Sequence, residues 1–444
     1  MRYMPVLIAG LLAMPFALAA PIATAGKLTP SDCSVEPVFE QLKAQPELLK
    51  LGRDLFYDPI LSGNREVACA TCHHPELGTG DGLALGLGDG GIGLGPKRRV
   101  DPANVPEQRI PRNAQALFNL GYSEFTVMFH DGRVEQLPDG RILTPLGNRD
   151  GGGLLPVLTA QASFPVLSPD EMAGHYSEND VAQAVRRGLL IGPDGAHDLL
   201  AKRVLAIPGY RSRMSVPEVE AAGFEAVARA LAAFMAHEWR ADESAYDRLI
   251  CEGTPLTARA EAGRKLFYGK AGCSDCHSGR FQTDHGFHSI AMPQIGPGKA
   301  ERFETHARDT GRMRVTGRSE DAYRFRTPSL RNIALTAPYG HAGAYSDLKE
   351  VIRHHLNPVA ALDAYKQASV RLPELRTQKD FQILESPVEV AAIRGTNDLQ
   401  TVKLSEPEVD DLIAFLHALT DLRGIEGRLG VPERVPSGLP VPQP

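Results

Sequence analysis

Cys69-Ala70-Thr71-Cys72-His73 and Cys273-Ser274-Asp275-Cys276-His277 both read Cys-x-x-Cys-His. This spacing attaches a c-type haem: the two thiols form thioethers with the haem vinyl groups, and the adjacent histidine supplies the proximal iron ligand. Each motif follows a matching lead-in, Gly52-Arg53-Asp54-Leu55-Phe56-Tyr57 before the first and Gly263-Arg264-Lys265-Leu266-Phe267-Tyr268 before the second. Apolar residues recur at helical spacing in both, as Leu48, Leu51 and Leu55 and as Ala262 and Leu266. The chain therefore repeats itself. The repeat predicts a mainly α fold, with two cytochrome c-type haem-binding domains in tandem, long loop insertions and two covalently bound haem c groups.

The first domain is expected over 26–254 and the second over 255–424. The Gly-rich stretches Gly86–Gly95 and Gly147–Gly153 lack apolar periodicity and read as loops. A helix is expected from about Val219 to Trp239. Thr257 is a good N-cap before the second domain's opening helix. That domain closes with an amphipathic helix, Glu406–Asp421, whose Val409, Leu412, Ile413, Leu416 and Leu419 form one stripe. The Pro-rich tail, 425–444, reads as disordered from Val431 onward. Strand signal is thin throughout.

Residues 1–25 carry one Arg, an apolar run and small residues at Ala17-Leu18-Ala19 and Ala23-Thr24-Ala25. They read as a removed export signal, the alternative being an uncleaved anchor. The 444 residues are 43% hydrophobic, with no later segment long and apolar enough to span a bilayer. A periplasmic location follows as the expectation. The formal net charge of −6 argues against nucleic acid as a partner. Of six cysteines, Cys33 and Cys251 lie outside the haem motifs. In an oxidising compartment this even remainder is read as a disulfide, or otherwise as two separate buried thiols.

Further stretches carry a resemblance: Leu61-Ser62-Gly63-Asn64, Ile110-Pro111-Arg112-Asn113-Ala114, Phe129-His130-Asp131-Gly132-Arg133, Phe325-Arg326-Thr327-Pro328-Ser329-Leu330-Arg331-Asn332 and Leu335-Thr336-Ala337-Pro338-Tyr339. Together with the haem motifs they resemble the bacterial di-haem cytochrome c peroxidases, including the MauG-type branch. The resemblance covers most of the chain outside the insertions and the tail. It implies hydrogen peroxide as substrate and either an electron-donor protein (a small cytochrome c or a cupredoxin) or a target protein as partner. It also allows a homodimer.

The two haem faces are expected to differ. Relatives can cap the first iron with a His on the loop after the motif, but Asp81–Gly90 contains no His, and no Met occurs between the motif and Met128. An iron held by His73 alone keeps a face for peroxide. His74 cannot reach that face and is expected to be exposed. The family uses a Glu over the open haem. Glu171, in Ser168-Pro169-Asp170-Glu171-Met172, stands at the matching place, with Asp170 as runner-up.

At the second haem, relatives place Met or Tyr on the helix after Pro338-Tyr339-Gly340-His341-Ala342-Gly343, and counting from His341 that position is His355. Leu348, Val351, Ile352 and His355 follow i, i+3, i+4, i+7 spacing, so His355 shares their apolar face. The bland alternative is a core histidine with only structural hydrogen bonds. His354 is expected near solvent, beside Asp347 and Glu350.

The Trp that relatives commonly place between the haems is His130 here. The chain's only Trp, Trp239, is expected to pack in the core or at the domain seam. The resemblance also implies Ca²⁺ between the domains, held by the Asn113 side-chain oxygen and the Thr336 and Pro338 carbonyls. A rival reading from another class is a non-catalytic electron carrier or redox sensor, which needs both irons six-coordinate.

Overall fold

The computed structural model describes residues 33–443 apart from 35, 150, 176, 220, 300–303 and 377; the expected export signal lies outside the described residues. The repeated lead-ins are the ends of helices Pro46–Tyr57 and Ala258–Phe267. Each crosses a second helix of its own half: Pro46–Tyr57 lies on Gly223–Glu238, and Ala258–Phe267 lies on Glu406–Ala418. The glycine in each lead-in explains the repeat. A Cβ at Gly52 would stand 1.9 Å from the Ala230 carbonyl oxygen, and one at Gly263 would stand 1.9 Å from that of Asp411. Only hydrogen lets these backbones approach so closely. One turn on, an aromatic pair locks each crossing, Phe56 on Phe234 at 5.4 Å and Phe267 on Phe415 at 5.1 Å between ring centroids. Trp239 closes the first pair, 4.9 Å from Phe56 and 5.2 Å from Phe234, fully buried in the first core.

Local chemistry sets the helix ends. Thr257 accepts from the Ala260 N–H at 3.3 Å, and Ser405 and Glu408 form a capping box. The helix expected from Val219 begins later, at Gly223, after a short 3₁₀ turn at Pro217–Val219. Its partner in the second domain ends at Ala418. Among the described residues the strands are two or three residues long, in antiparallel ribbons; one pairs Phe287–His288 with Phe325–Arg326. Cys33 and Cys251 are joined as a disulfide, tying the first described residue to helix Ala245–Glu252.

The tail corrects the sequence reading. Beyond Val431 it packs on the first domain: Val435 is buried, and Ser437 Oγ donates to Asp58 Oδ1 at 2.7 Å. Just before it, the buried Glu238 carboxylate accepts from the N–H groups of Arg428, Leu429 and Gly430 at 2.7–2.9 Å. Proline-rich composition suggested disorder; a buried carboxylate needing donors, invisible in the tail's own sequence, orders it.

Buried ion pairs hold the two halves together. Arg112 grips Asp309 of the second half bidentately, at 2.6 and 2.8 Å, and donates to Asp131 at 2.7 Å. Burial alone would raise the Asp309 carboxyl, but the Arg112 guanidinium holds it far below the usual range. Arg109 pairs with Asp380 in the same way.

Gly52→Ala and Gly263→Ala should each lower the midpoint of chemical unfolding, by an overpacking penalty of about 1–3 kcal/mol or more. Gly395→Ala, in a helix end where a Cβ meets nothing within 4 Å, should be near neutral or slightly stabilising. Equal midpoints for all three variants would refute the close-crossing account.

Candidate functional site

The second motif lines a cavity of about 570 Å³. Cys273, Cys276 and His277 form one wall; Leu348, Val351, Ile352 and His355, all from helix Leu348–Leu356, form another. The Asp347 carboxylate caps that helix, accepting from Lys349 N–H at 2.8 Å and Glu350 N–H at 3.1 Å. His277 Nδ1 bonds the Gln282 carbonyl at 3.0 Å, and His355 Nδ1 bonds the Val351 carbonyl at 2.8 Å. A carbonyl only accepts, so both rings carry their proton on Nδ1 and keep the Nε2 lone pair for a metal. Burial pushes His277 down to about 4, with His355 adding to the effect, and burial lowers His355 too. Neutral imidazole is the ligating form. The ring centroids lie 6.4 Å apart, room for one metal bonded to a nitrogen of each ring at about 2 Å. Thiols, imidazoles and apolar walls together fit a haem c.

His354 corrects the expectation of a solvent-facing side chain: it is fully buried. Its Nε2 bonds the Ile290 carbonyl at 2.8 Å and its Nδ1 meets the Tyr345 hydroxyl at 2.9 Å. Helical spacing separated an apolar face from a polar one, but the flank of this helix is covered by segments distant in sequence.

The first motif forms a single helical turn, Cys69–Cys72. His73 Nδ1 bonds the Thr79 carbonyl at 2.9 Å, the same tautomer-fixing arrangement, and burial lowers its pKa. His74 is buried, not exposed: the chain doubles back through a 3₁₀ turn at Pro75–Leu77, and His74 Nδ1 accepts from Glu76 N–H at 3.3 Å. The donor set again fits haem c.

Glu171 sits in the tight turn Pro169–Ala173, within electrostatic reach of the Cys72 thiol. The Gly86–Gly95 loop packs beside it and is itself largely buried. Asp89 N–H donates to the Glu171 carbonyl at 3.1 Å, and a Cβ at Gly88 would stand 2.1 Å from the Asp170 carbonyl oxygen. Buried Arg98 staples the loop, donating to the carbonyls of Leu87, Gly88 and Gly93. Burial raises the Glu171 pKa, against Lys299 and Arg133. The Asp170 carboxylate is already engaged by Gln108 Nε2 at 2.8 Å. Sequence reading missed His175, buried 3.3 Å from Asp89 and 3.9 Å from Asp170; a single histidine outside any motif gave no signal.

Asn113, Thr336 and Pro338 come together around a small polar cavity of about 10 Å³ at the seam, about the volume of one water-sized probe. Asn113 Nδ2 donates to the Leu83 and Ala84 carbonyls at 2.8 and 3.2 Å, which leaves its amide oxygen for a cation. Asp81, also missed, lines the same cavity, and burial pushes its carboxyl up to about 7. This all-oxygen donor set fits a hard cation. His130 lines the 570 Å³ cavity, with Nε2 bonded to the Asn113 carbonyl at 3.1 Å. Burial, then Arg112, drives it down to about 3, so it is neutral.

The family model described as di-haem cytochrome c peroxidase matches residues 46–254. The methylamine utilization protein MauG of Paracoccus denitrificans is 30% identical over 405 residues, covering 86% of this chain and 90% of that one. The corresponding protein of Methylorubrum extorquens is 29% identical over 379 residues, covering 84% and 78%. In three dimensions the chain is similar to the di-haem peroxidase BthA from Burkholderia thailandensis, with a TM-score of 0.54, 21% identity and 90% of each chain covered, a likeness of fold.

His355→Ala should convert the second haem from low spin to high spin in the oxidised optical and EPR spectra. His354→Ala should leave that haem low spin while costing about 1–3 kcal/mol through the orphaned Tyr345 hydroxyl. A low-spin second haem in the His355 variant would remove His355 as its ligand.

Proposed function

Because the chain belongs to the di-haem cytochrome c peroxidase family, we propose that it is a periplasmic oxidoreductase that reduces hydrogen peroxide at the first haem with electrons passed through the second. The observation that carries this reading is the inequality of the two sites. His355 faces His277 across the second cavity, whereas the loop Asp81–Gly90 after the first motif contains neither His nor Met, and Glu171 lies near that motif.

When bound, haem supplies reversible one-electron chemistry, and an iron with an open face supplies a place for peroxide oxygen. The chain's own residues do the rest. His73 and His277 would each hold a haem iron through Nε2, each with its tautomer fixed through Nδ1. Glu171 takes the peroxide proton at its carboxylate and returns it to the departing oxygen. Its raised pKa suits both tasks, since a strongly acidic carboxylate would be a poor base. His130 bonds Asn113 within the first half, and the Asn113 N–H donates across to the His341 carbonyl of the second half at 2.9 Å. Ca²⁺ beside Asn113, Thr336 and Pro338 would stiffen this seam.

One observation favours a second reading, oxidation of a partner protein's side chain. Imidazole, rather than thioether, faces His277, and a second imidazole lowers the potential of the iron. A low-potential haem holds oxidising equivalents better than it stores electrons. The donor in the first reading is a small cytochrome c or cupredoxin; in the second it is the target protein itself.

Glu171→Gln should incorporate both haems and react with peroxide about 10²–10⁴-fold more slowly. In the native protein the rate should fall as pH drops through a Glu171 pKa raised above 4.5, because protonation removes the base. That acid limb should vanish in the variant. Stopped-flow rates equal to wild type would move the acid–base role elsewhere. An oxidised spectrum with no high-spin haem would favour a carrier over an enzyme.

A further inference from the structure

Beside the second cavity, aromatic rings continue past the iron-facing histidines. His355 lies 6.1 Å from His354, His354 lies 5.3 Å from Tyr345, and Tyr345 lies 5.5 Å from Tyr365, all between ring centroids. With the 6.4 Å step from His277 to His355, five rings form an unbroken file. Its inner members, His354 and Tyr345, are buried; Tyr365 is half-buried between exposed neighbours, Ala364 and Lys366.

The join between His354 and Tyr345 is directional. The Ile290 carbonyl can only accept, so His354 Nε2 carries the proton and Nδ1 has the lone pair. The 2.9 Å contact is therefore a phenol donating to an imidazole nitrogen. A buried tyrosine is hard to oxidise unless its proton leaves with the electron, because a phenol cation radical in a low-dielectric interior is strongly disfavoured. Here the proton has a base within a hydrogen bond. The Glu350 carboxylate lies within electrostatic reach of both Tyr345 and Tyr365, and its negative charge favours removal of an electron from either ring.

We propose that Tyr345 and His354 form a protein redox site beside the second haem, with Tyr365 as its outlet towards the surface. This rests on the reading of His277 and His355 as that haem's ligands. In the forward step Tyr345 gives one electron to the oxidised haem iron, which is reduced by one. The phenolic O–H bond breaks and an N–H bond forms at His354 Nδ1, leaving a neutral tyrosyl radical and an imidazolium whose Nε2–H stays on the Ile290 carbonyl. In the return step a one-electron donor at the surface supplies an electron through the Tyr365 ring, and the proton goes back to the phenolate oxygen. The oxidising equivalents come from peroxide or from any one-electron oxidant of the haem.

The test is freeze-quench EPR on the di-haem protein, oxidised in one arm by hydrogen peroxide and in the other by a photogenerated ruthenium(III) polypyridyl complex. The expected result is a tyrosyl signal with a component that is lost in Tyr345→Phe and longer-lived in Tyr365→Phe. Identical wild-type and Tyr345→Phe spectra in both arms overturn the proposal. If peroxide oxidises neither haem while the ruthenium arm shows the Tyr345-dependent component, the peroxidase reading fails and this one stands. The low-spin band of the second haem reports whether Tyr345→Phe has folded. If it has not, His354→Gln, which keeps a hydrogen-bond acceptor but not a base, should lose most of the component, and an unchanged yield overturns the proposal.

Discussion

Two helix crossings at backbone contact distance underlie the rest of this molecule. At Gly52 on Ala230 and at Gly263 on Asp411, absence of a side chain lets one helix settle into another. The following aromatic residue then fills the wedge between them, Phe56 against Phe234 and Phe267 against Phe415. Each crossing fixes the direction in which the chain leaves its lead-in helix, and the Cys-x-x-Cys-His turn comes next. The Cys-x-x-Cys-His turns are thus oriented by packing geometry upstream of them. The short strands and long loops add to a frame already set by four helices.

Much of this was written locally and could be read locally. The duplicated Gly-Arg-x-Leu-Phe-Tyr lead-in announced two similar helical units because glycine and phenylalanine do the same job in each. Helical spacing put His355 with Leu348, Val351 and Ile352, and these four line one cavity. What escaped depends on how the chain folds back over these residues. His354 is covered by Ile290 and Tyr345, His74 by the turn that follows it, and the proline-rich tail by Glu238 and Asp58. His175 and Asp81 gave no periodicity or motif; their settings appear only when Asp89, Asp170, Asn113 and Thr336 converge.

Asn113 shows how the halves are coupled without a large apolar interface of its own. Its side chain holds the carbonyls of Leu83 and Ala84, its N–H reaches His341 in the second half, and its carbonyl receives His130. Arg112, one residue earlier, carries the buried charge pairing with Asp131 and Asp309. Two adjacent residues therefore connect the loop after the first motif, His130 and the second half. A buried ion pair is costly to break, because removing one partner leaves an uncompensated charge in the interior.

The docked tail makes the first unit discontinuous. Its last pieces, Leu429 on Glu238 and Ser437 on Asp58, come from 191 and 379 residues downstream of their partners. The second unit is inserted between the body of the first and its closing strap. Contacts of such long sequence separation carry a large loop-closure entropy cost. Helix Pro46–Tyr57 and its motif thus emerge from synthesis well before the strap that finishes their surroundings exists. The inserted unit, whose helices Ala258–Phe267 and Glu406–Ala418 both precede the strap, has every element of its own crossing in hand before the outer one is sealed. Order of assembly, and not only final architecture, separates the two halves.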